Sequence, residues 1–396
     1  MTVWDALVGQ DEVVVTLEQA AAAAAEIVAG RDVATGAMTH AWLFTGPAGS
    51  GRSVAARALA AALQCERLPR GCGECSGCRS VLAGSHPDVH SVVPEGLSIS
   101  VAEARAVVSG AARRPQLGHW QVVVIEDADR LTEQAANALL KAIEEPSDRT
   151  VFLLCVPSLH PDDVSLTIRS RCRLVAVRTP PADAVAAVLR ASGVDDETAT
   201  WAAAAGQGHV GRARRLARDE EARTRRAAVL SIPASLTSLR ACLAAADQLV
   251  SAAEAEANAM KAELDGAETA AMTVALGGGG TGKGAAAAAR GSAGVLKDLE
   301  KRQKSRATRA QRDALDRALV DLAAFYRDVL LVHAGAAVAP AHPDLHDDVR
   351  TVALRVPPAG VLQRLDAVLA CREALDLNVK PRIAVEAMTA LLRLPS

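Results

Sequence analysis

The sequence predicts an α/β module built on a five-stranded parallel sheet, followed by an entirely helical second half. Three observations carry this. Short apolar runs alternate with helix-period stretches through the first 180 residues, a pattern that calls for parallel strands covered by helices on both faces. Strand-like runs stop after Thr179-Pro180-Pro181. A glycine-rich loop also stands between an apolar run and a helical one, the order in which a phosphate-binding turn is built.

The expected strands are Trp42–Thr45, Val89–Val93, Val122–Glu126, Val151–Val156 and Leu174–Val177. Between them, Thr132 to Glu145 places Ala135, Ala136, Leu139, Leu140 and Ile143 on one face at helical spacing, with Thr132 as N-cap and Pro146 closing the helix. The first domain is expected over 1–180 and a small helical lid over 181–230. A helical collar follows over 231–396, interrupted by a flexible Gly/Ala-rich loop at about 277–294.

Composition narrows the function. A chain of 396 residues is long enough for two or three domains. A formal net charge of -2 gives no overall drive toward nucleic acid or anionic membrane, and an aromatic share of 2% leaves little for stacking bases. Met1 to Leu17 carries Asp5, Asp11 and Glu12 instead of the basic start and apolar run of a signal peptide, and no apolar run is long enough to span a bilayer. The expected location is the cytoplasm. Val295 to Arg317 is strongly charged and reads as a solvated helix face.

Gly46-Pro47-Ala48-Gly49-Ser50-Gly51-Arg52-Ser53 follows an apolar run and opens a helical one. Glycines at 46, 49 and 51 let backbone N–H groups approach a phosphate, and Ser53 offers a hydroxyl to magnesium. Arg52 stands where lysine is expected, and a broad planar fork does not replace a compact point charge in a tight loop. At the end of the third run, Glu126-Asp127 would supply the acids that hold magnesium and face the attacking water. A longer acid comes first and a shorter one second, so each carboxylate is displaced from its task. ATP or ADP binding is left open, with hydrolysis impaired. A second glycine-rich stretch, Gly277 to Gly284, lacks the Ser or Thr and reads as a decoy.

Cys65, Cys72, Cys75 and Cys78 are crowded into a short Gly-containing loop. Four thiolates can close a tetrahedral shell around zinc with no open position, which makes such a site structural. His86 and His90 are nearby and not needed as ligands. Cys155, Cys172, Cys242 and Cys371 are scattered and read as small buried residues.

Several further segments share one likeness. They are Val8-Gly9-Gln10, His40-Ala41-Trp42-Leu43-Phe44, the four cysteines followed by Ser85-His86-Pro87-Asp88, Asn137-Ala138-Leu139-Leu140-Lys141 with Glu144-Glu145-Pro146, and Arg169-Ser170-Arg171-Cys172-Arg173. Over residues 5 to 220 the chain resembles the delta-prime family of bacterial clamp-loader subunits, relatives of the AAA+ ATPases within the DNA polymerase III holoenzyme. The resemblance implies that Arg171 is an arginine finger acting on ATP held by a neighbouring gamma or tau motor subunit. It also implies a collar that holds five subunits in a ring, and partners that include the delta subunit, the sliding clamp and primed DNA. Asn378 to Glu386 is similar to the end of such a collar.

A motor subunit would keep the loop lysine, an Asp-Glu order, a polar sensor near Val156-Pro157 and a sensor arginine where Gly211 stands, with Arg212 adjacent. All four depart here, which favours the non-hydrolysing subunit. Two rival readings stand beside it: a gamma/tau-type motor or other autonomous AAA+ ATPase, and a zinc-dependent scaffold with no role at any ATP site.

Overall fold

A computed structural model describes residues 2–275 and 285–394. In chain order, α1 (Asp11–Val28), β1 (Ala41–Thr45), α2 (Arg52–Leu63), α3 (Ser76–Leu82), β2 (Val89–Val92), α4 (Val101–Ala111) and β3 (Gln121–Ile125) come first. Next are α5 (Glu133–Glu144), β4 (Thr150–Val156), α6 (Leu166–Arg169) and β5 (Arg173–Ala176). The helical remainder is α7 (Ala182–Ala191), α8 (Asp196–Gly206), α9 (Val210–Arg218), α10 (Glu220–Leu230), α11 (Ile232–Ser235), α12 (Leu239–Ala275), α13 (Ala285–Ala334), α14 (His346–Arg355), α15 (Pro358–Asp376) and α16 (Pro381–Leu391).

The five strands form one sheet in the order β2-β3-β4-β1-β5, every pair parallel. All five expected strands are present, their ends within a residue of the expected ones. The three central strands are buried throughout, as a doubly covered sheet requires. Because strand side chains alternate faces, β4 serves two cores. Val151, Leu153 and Cys155 join Leu17, Phe44 and Leu59 on the face covered by α1 and α2. Phe152, Leu154 and Val156 join Leu139 and Ile143 of α5 on the other. The Thr132 hydroxyl accepts from the Ala135 N–H at 3.2 Å, capping α5 as its sequence foretold. The glycine loop stands at the carboxyl end of β1, a central strand, where open α/β sheets place ligands.

The chain forms two compact units, one of residues 1–94 with 98–217 and one of 95–97 with 218–396. The boundary therefore differs from those expected at 180 and 230. Helices α7–α9 go with the sheet because their entry is pinned to it. The Gln10 side chain donates to the Arg178 carbonyl at 2.5 Å and accepts from the Arg178 N–H at 3.2 Å. Helix α10 goes with the helical unit because Leu230 is part of that unit's core, beside Leu319, Phe325, Val368 and Val385.

The expected flexible loop at 277–294 is corrected in part. Residues 285–294 are the opening turns of α13, where a run of alanines outweighs the cost of interspersed glycines. The decoy loop at 277–284 lies outside the described residues. Among the described residues, no helix is long and apolar enough to cross a membrane.

Candidate functional site

The phosphate loop follows β1 and runs into the N-terminus of α2, with Arg52 as the first helical residue and Gly51 as a left-handed cap at φ 99°. Gly49 also sits in the left-handed region at φ +84°, and a Cβ there would lie 2.5 Å from the Cβ of His209. The loop is thus covered by the residue that opens α9. That histidine holds its own place by accepting the Arg212 N–H on Nδ1 at 3.3 Å.

Within the loop, Ser50 is buried and its hydroxyl has no hydrogen-bond partner, and Nη1 of Arg52 is likewise buried and unpartnered. The guanidinium is therefore folded into the module, where an anion would be its natural counterpart.

At the end of β3, Glu126 lies with Oε1 3.7 Å from Nε of Arg57 on α2. The acid expected to hold magnesium is paired with a cation of its own chain. Asp127 and Asp129 follow, and Asp129 is held above the usual carboxylate range, first by burial and then by the charge of Asp127. Sequence reasoning missed Asp129 and His209; a third acid two residues after Asp127 was the available signal for the first. Burial also pushes the Cys155 thiol on β4 up to about 12, consistent with an inert core residue. Cys242 and Cys371 are buried too, and Cys172 is half-buried, with burial raising its thiol to about 12.

The structure brings the four cysteines together, with their sulfurs all within 4.8 Å of one another. The Cys65 and Cys75 sulfurs are 3.9 Å apart, close to the roughly 3.8 Å edge of a tetrahedron with metal–sulfur bonds of 2.3 Å. Backbone N–H groups point at these sulfurs. Cys75 and Glu74 donate to Cys72 at 3.3 and 3.5 Å, and Cys78 donates to Cys75 at 3.4 Å. The N–H groups of Glu74 and Cys75 lower the Cys72 thiol to about 6, whereas burial raises that of Cys78. Gly77 is required for the fold of this loop, because a Cβ there would stand 2.2 Å from the Gln64 carbonyl. Four cysteines so arranged can hold a metal ion.

His86 is not part of this cluster: its Nδ1 accepts the Asp88 N–H at 3.1 Å. Asp88, fully buried, accepts N–H groups from Gln116, Leu117 and Gly118 at 2.7, 2.9 and 2.6 Å. It organises the turn that feeds β3, a role its sequence motif did not disclose.

Arg171 sits on the turn between α6 and β5, its side chain about one-third exposed. Nη1 donates to the Thr167 carbonyl at 2.8 Å and to the Ser170 hydroxyl at 3.2 Å, and Nη2 lies 2.5 Å from Oε1 of Glu144 at the end of α5. The Glu144-Glu145-Pro146 and Ser170-Arg171-Cys172 motifs, separate in sequence, therefore meet in space.

A family model described as "DNA polymerase III, delta subunit" matches residues 23–181. A delta-prime subunit of DNA polymerase III from Pseudomonas aeruginosa is 42% identical over 149 residues, which is 37% of this chain and 45% of that protein. The delta-prime subunit of Bacillus subtilis is 37% identical over 137 residues, 34% of this chain and 41% of the relative. The tau subunit of the same organism is 35% identical over 137 residues, 34% of this chain and 24% of the relative. Each match spans less than half the length of the relative concerned, and the family-model match over 23–181 contains the phosphate loop, the cysteine cluster and the Arg171 turn. Residues 23–181 are thus similar to the delta-prime subunits of DNA polymerase III over the segment matched.

Proposed function

We propose that this chain is the delta-prime subunit of a clamp loader, one that lends Arg171 to ATP held by a gamma or tau motor subunit and hydrolyses little or none itself. The observation that carries the reading is the contrast between two arginines. Arg52 is turned into its own phosphate loop with Nη1 buried and unpartnered, whereas Arg171 is presented on a surface turn. A guanidinium supplied by another chain neutralises charge on the transferred phosphoryl group, so hydrolysis depends on assembly. The pairing of Glu126 with Arg57 supports the same reading, since it engages the acid that would otherwise hold magnesium.

The rest of the reading follows from the family. Zinc is the metal that best suits four thiolates in a closed shell, and the cysteine loop would then act as a structural module. The partners are gamma or tau, delta, the sliding clamp and primed DNA, and the setting is the cytoplasm. Residues 46, 49, 51, 52, 53, 126 and 127 form a degenerate nucleotide site, and the helical half from 231 onward serves as the collar.

Steady-state ATPase assays test this. The purified chain alone should show no appreciable turnover, and adding it to gamma or tau with delta, clamp and primed DNA should raise the motor's rate. Brisk turnover by the isolated chain would favour the autonomous ATPase instead. Unchanged motor activity with Arg171→Ala would favour a scaffold with no role at any ATP site.

A further inference from the structure

The guanidinium of Arg171 is held by two hydrogen-bond acceptors and one ion-pair partner, from two separate parts of the chain. Two come from its own turn, the Thr167 carbonyl and the Ser170 hydroxyl, both bound by Nη1. The third, the Glu144 carboxylate, comes from the last residue of α5 and approaches Nη2 at 2.5 Å. Helix α5 is anchored at the other end by its Thr132 cap and along its length by Ala135, Leu139 and Ile143, all fully buried. Glu144 therefore stands on a rigid element, and whatever it grips is referenced to the sheet core.

An arginine side chain left to itself spreads over many rotamers, and ordering it at the moment of reaction costs side-chain entropy. A planar guanidinium paired at Nη2 with a carboxylate and bound at Nη1 by a carbonyl and a hydroxyl has its plane fixed in advance. It still has N–H groups left over to meet a phosphate. We infer that Glu144 is a positioning residue that pre-orients Arg171 for a nucleoside triphosphate bound by the adjoining subunit.

This inference rests on the proposed role of Arg171. In the step concerned, a water oxygen bonds to the γ-phosphorus and the bond from that phosphorus to the β,γ-bridging oxygen breaks. ADP leaves with the electron pair and the water's proton passes to solvent. Arg171 neutralises the charge in transit, and Glu144 touches none of the reacting atoms.

The test uses the reconstituted loader with gamma or tau, delta, clamp and primed DNA, comparing wild type with Glu144→Ala, Glu144→Gln and Arg171→Ala. Arg171→Ala should lower kcat by about a thousandfold or more, as loss of an arginine finger does. Glu144→Ala should lower kcat about five- to tenfold with KM for ATP unchanged, because a misplaced reacting group is costly even when its energy of attachment is small. Glu144→Gln keeps an acceptor oxygen but loses the charge, and should recover part of the lost rate while staying below wild type. If Arg171→Ala abolishes turnover while both Glu144 variants match wild type, the positioning role is overturned and the finger stands. If Arg171→Ala is itself without effect, the finger reading falls and this inference falls with it. Should Glu144→Ala fail to assemble, Glu144→Gln decides: a reduced kcat at unchanged KM supports the role, and a wild-type kcat overturns it.

Discussion

Arg57 and Glu126 face each other beside the glycine loop, Nε to Oε1 at 3.7 Å, so the acid that the sequence suggests for magnesium is already matched by a cation from the helix that the loop begins. Restoring the loop lysine alone should therefore not restore an enzyme. Arg52→Lys is expected to tighten binding of a fluorescent ADP analogue about tenfold, because a compact charge suits the loop better. It should leave ATP turnover by the isolated chain at background. Fluorescence titration and a steady-state ATPase assay check the two halves, and turnover in the single variant would contradict the account of Glu126.

The contact between Gly49 and His209 makes a second claim on the same loop. Gly49→Ala should cost about 2–5 kcal/mol, combining a left-handed backbone with overpacking against the histidine. In a double-mutant cycle by urea denaturation, His209→Ala should return the packing part, so the two changes are non-additive. Strict additivity would show that the two residues do not meet.

Asp88 provides the pH dependence. Burial alone would raise its carboxyl, but N–H groups from Gln116, Gly118 and Leu117 outweigh it and hold the group below the ordinary 3.8. A folded-state value below the unfolded one means that the stabilisation is complete above the unfolded value, and it is lost as pH falls through the folded one. Asp88→Asn should cost about 2 kcal/mol at neutral pH, since an amide NH₂ cannot accept from three donors. The gap between variant and wild type should narrow below about pH 4, where the wild-type carboxylate is itself being protonated. Urea denaturation across that range gives the measurement, and a gap that widens on acidification would refute the assignment.

In the helical unit, Arg226 is buried, 3.1 Å from Asp344 through Nη1 and 2.8 Å from Nδ1 of His342 through Nη2, with Asp321 4.0 Å from its Nε. Arg226→Met removes one partner of a buried charge cluster and should cost about 3–5 kcal/mol. His342 is held below the ordinary imidazole value, first by burial and then by the Arg226 charge. Its titration followed by NMR should move upward in the variant, and an unmoved imidazole would break the electrostatic link.

The cysteine cluster predicts about one equivalent of zinc in the purified chain, removed by a strong chelator with loss of stability. Cys65→Ala should retain less than one equivalent and melt several degrees lower, on the scale that loss of a structural metal produces. Metal analysis with thermal melts reads both. A chain that melts identically with and without chelator would deny the loop its structural role.

Much of this molecule was legible before any coordinates. Runs such as Val122–Ile125 and Val151–Val156 announced buried strands because a doubly covered sheet leaves no polar face. The glycines at 46, 49 and 51 announced the loop, and the thiol spacing announced the cluster, because backbone conformation and chelate geometry depend on neighbours in sequence. Residues 285–294 misled for the same kind of reason. Glycine interrupts a helical pattern on paper, and the alanine content around it keeps the segment helical.

The amino-acid order by itself settled the five strands of the sheet and the grouping of the four cysteines, since hydrophobic period and motif spacing act over a few residues. Only the tertiary structure decided that Glu126 is engaged by Arg57, that Arg171 is paired with Glu144, that His209 covers Gly49, and that α7–α9 join the sheet while α10 joins the helical unit. Ion pairing and packing act through space over a few ångströms, and the chain path, not sequence separation, sets which groups come that close.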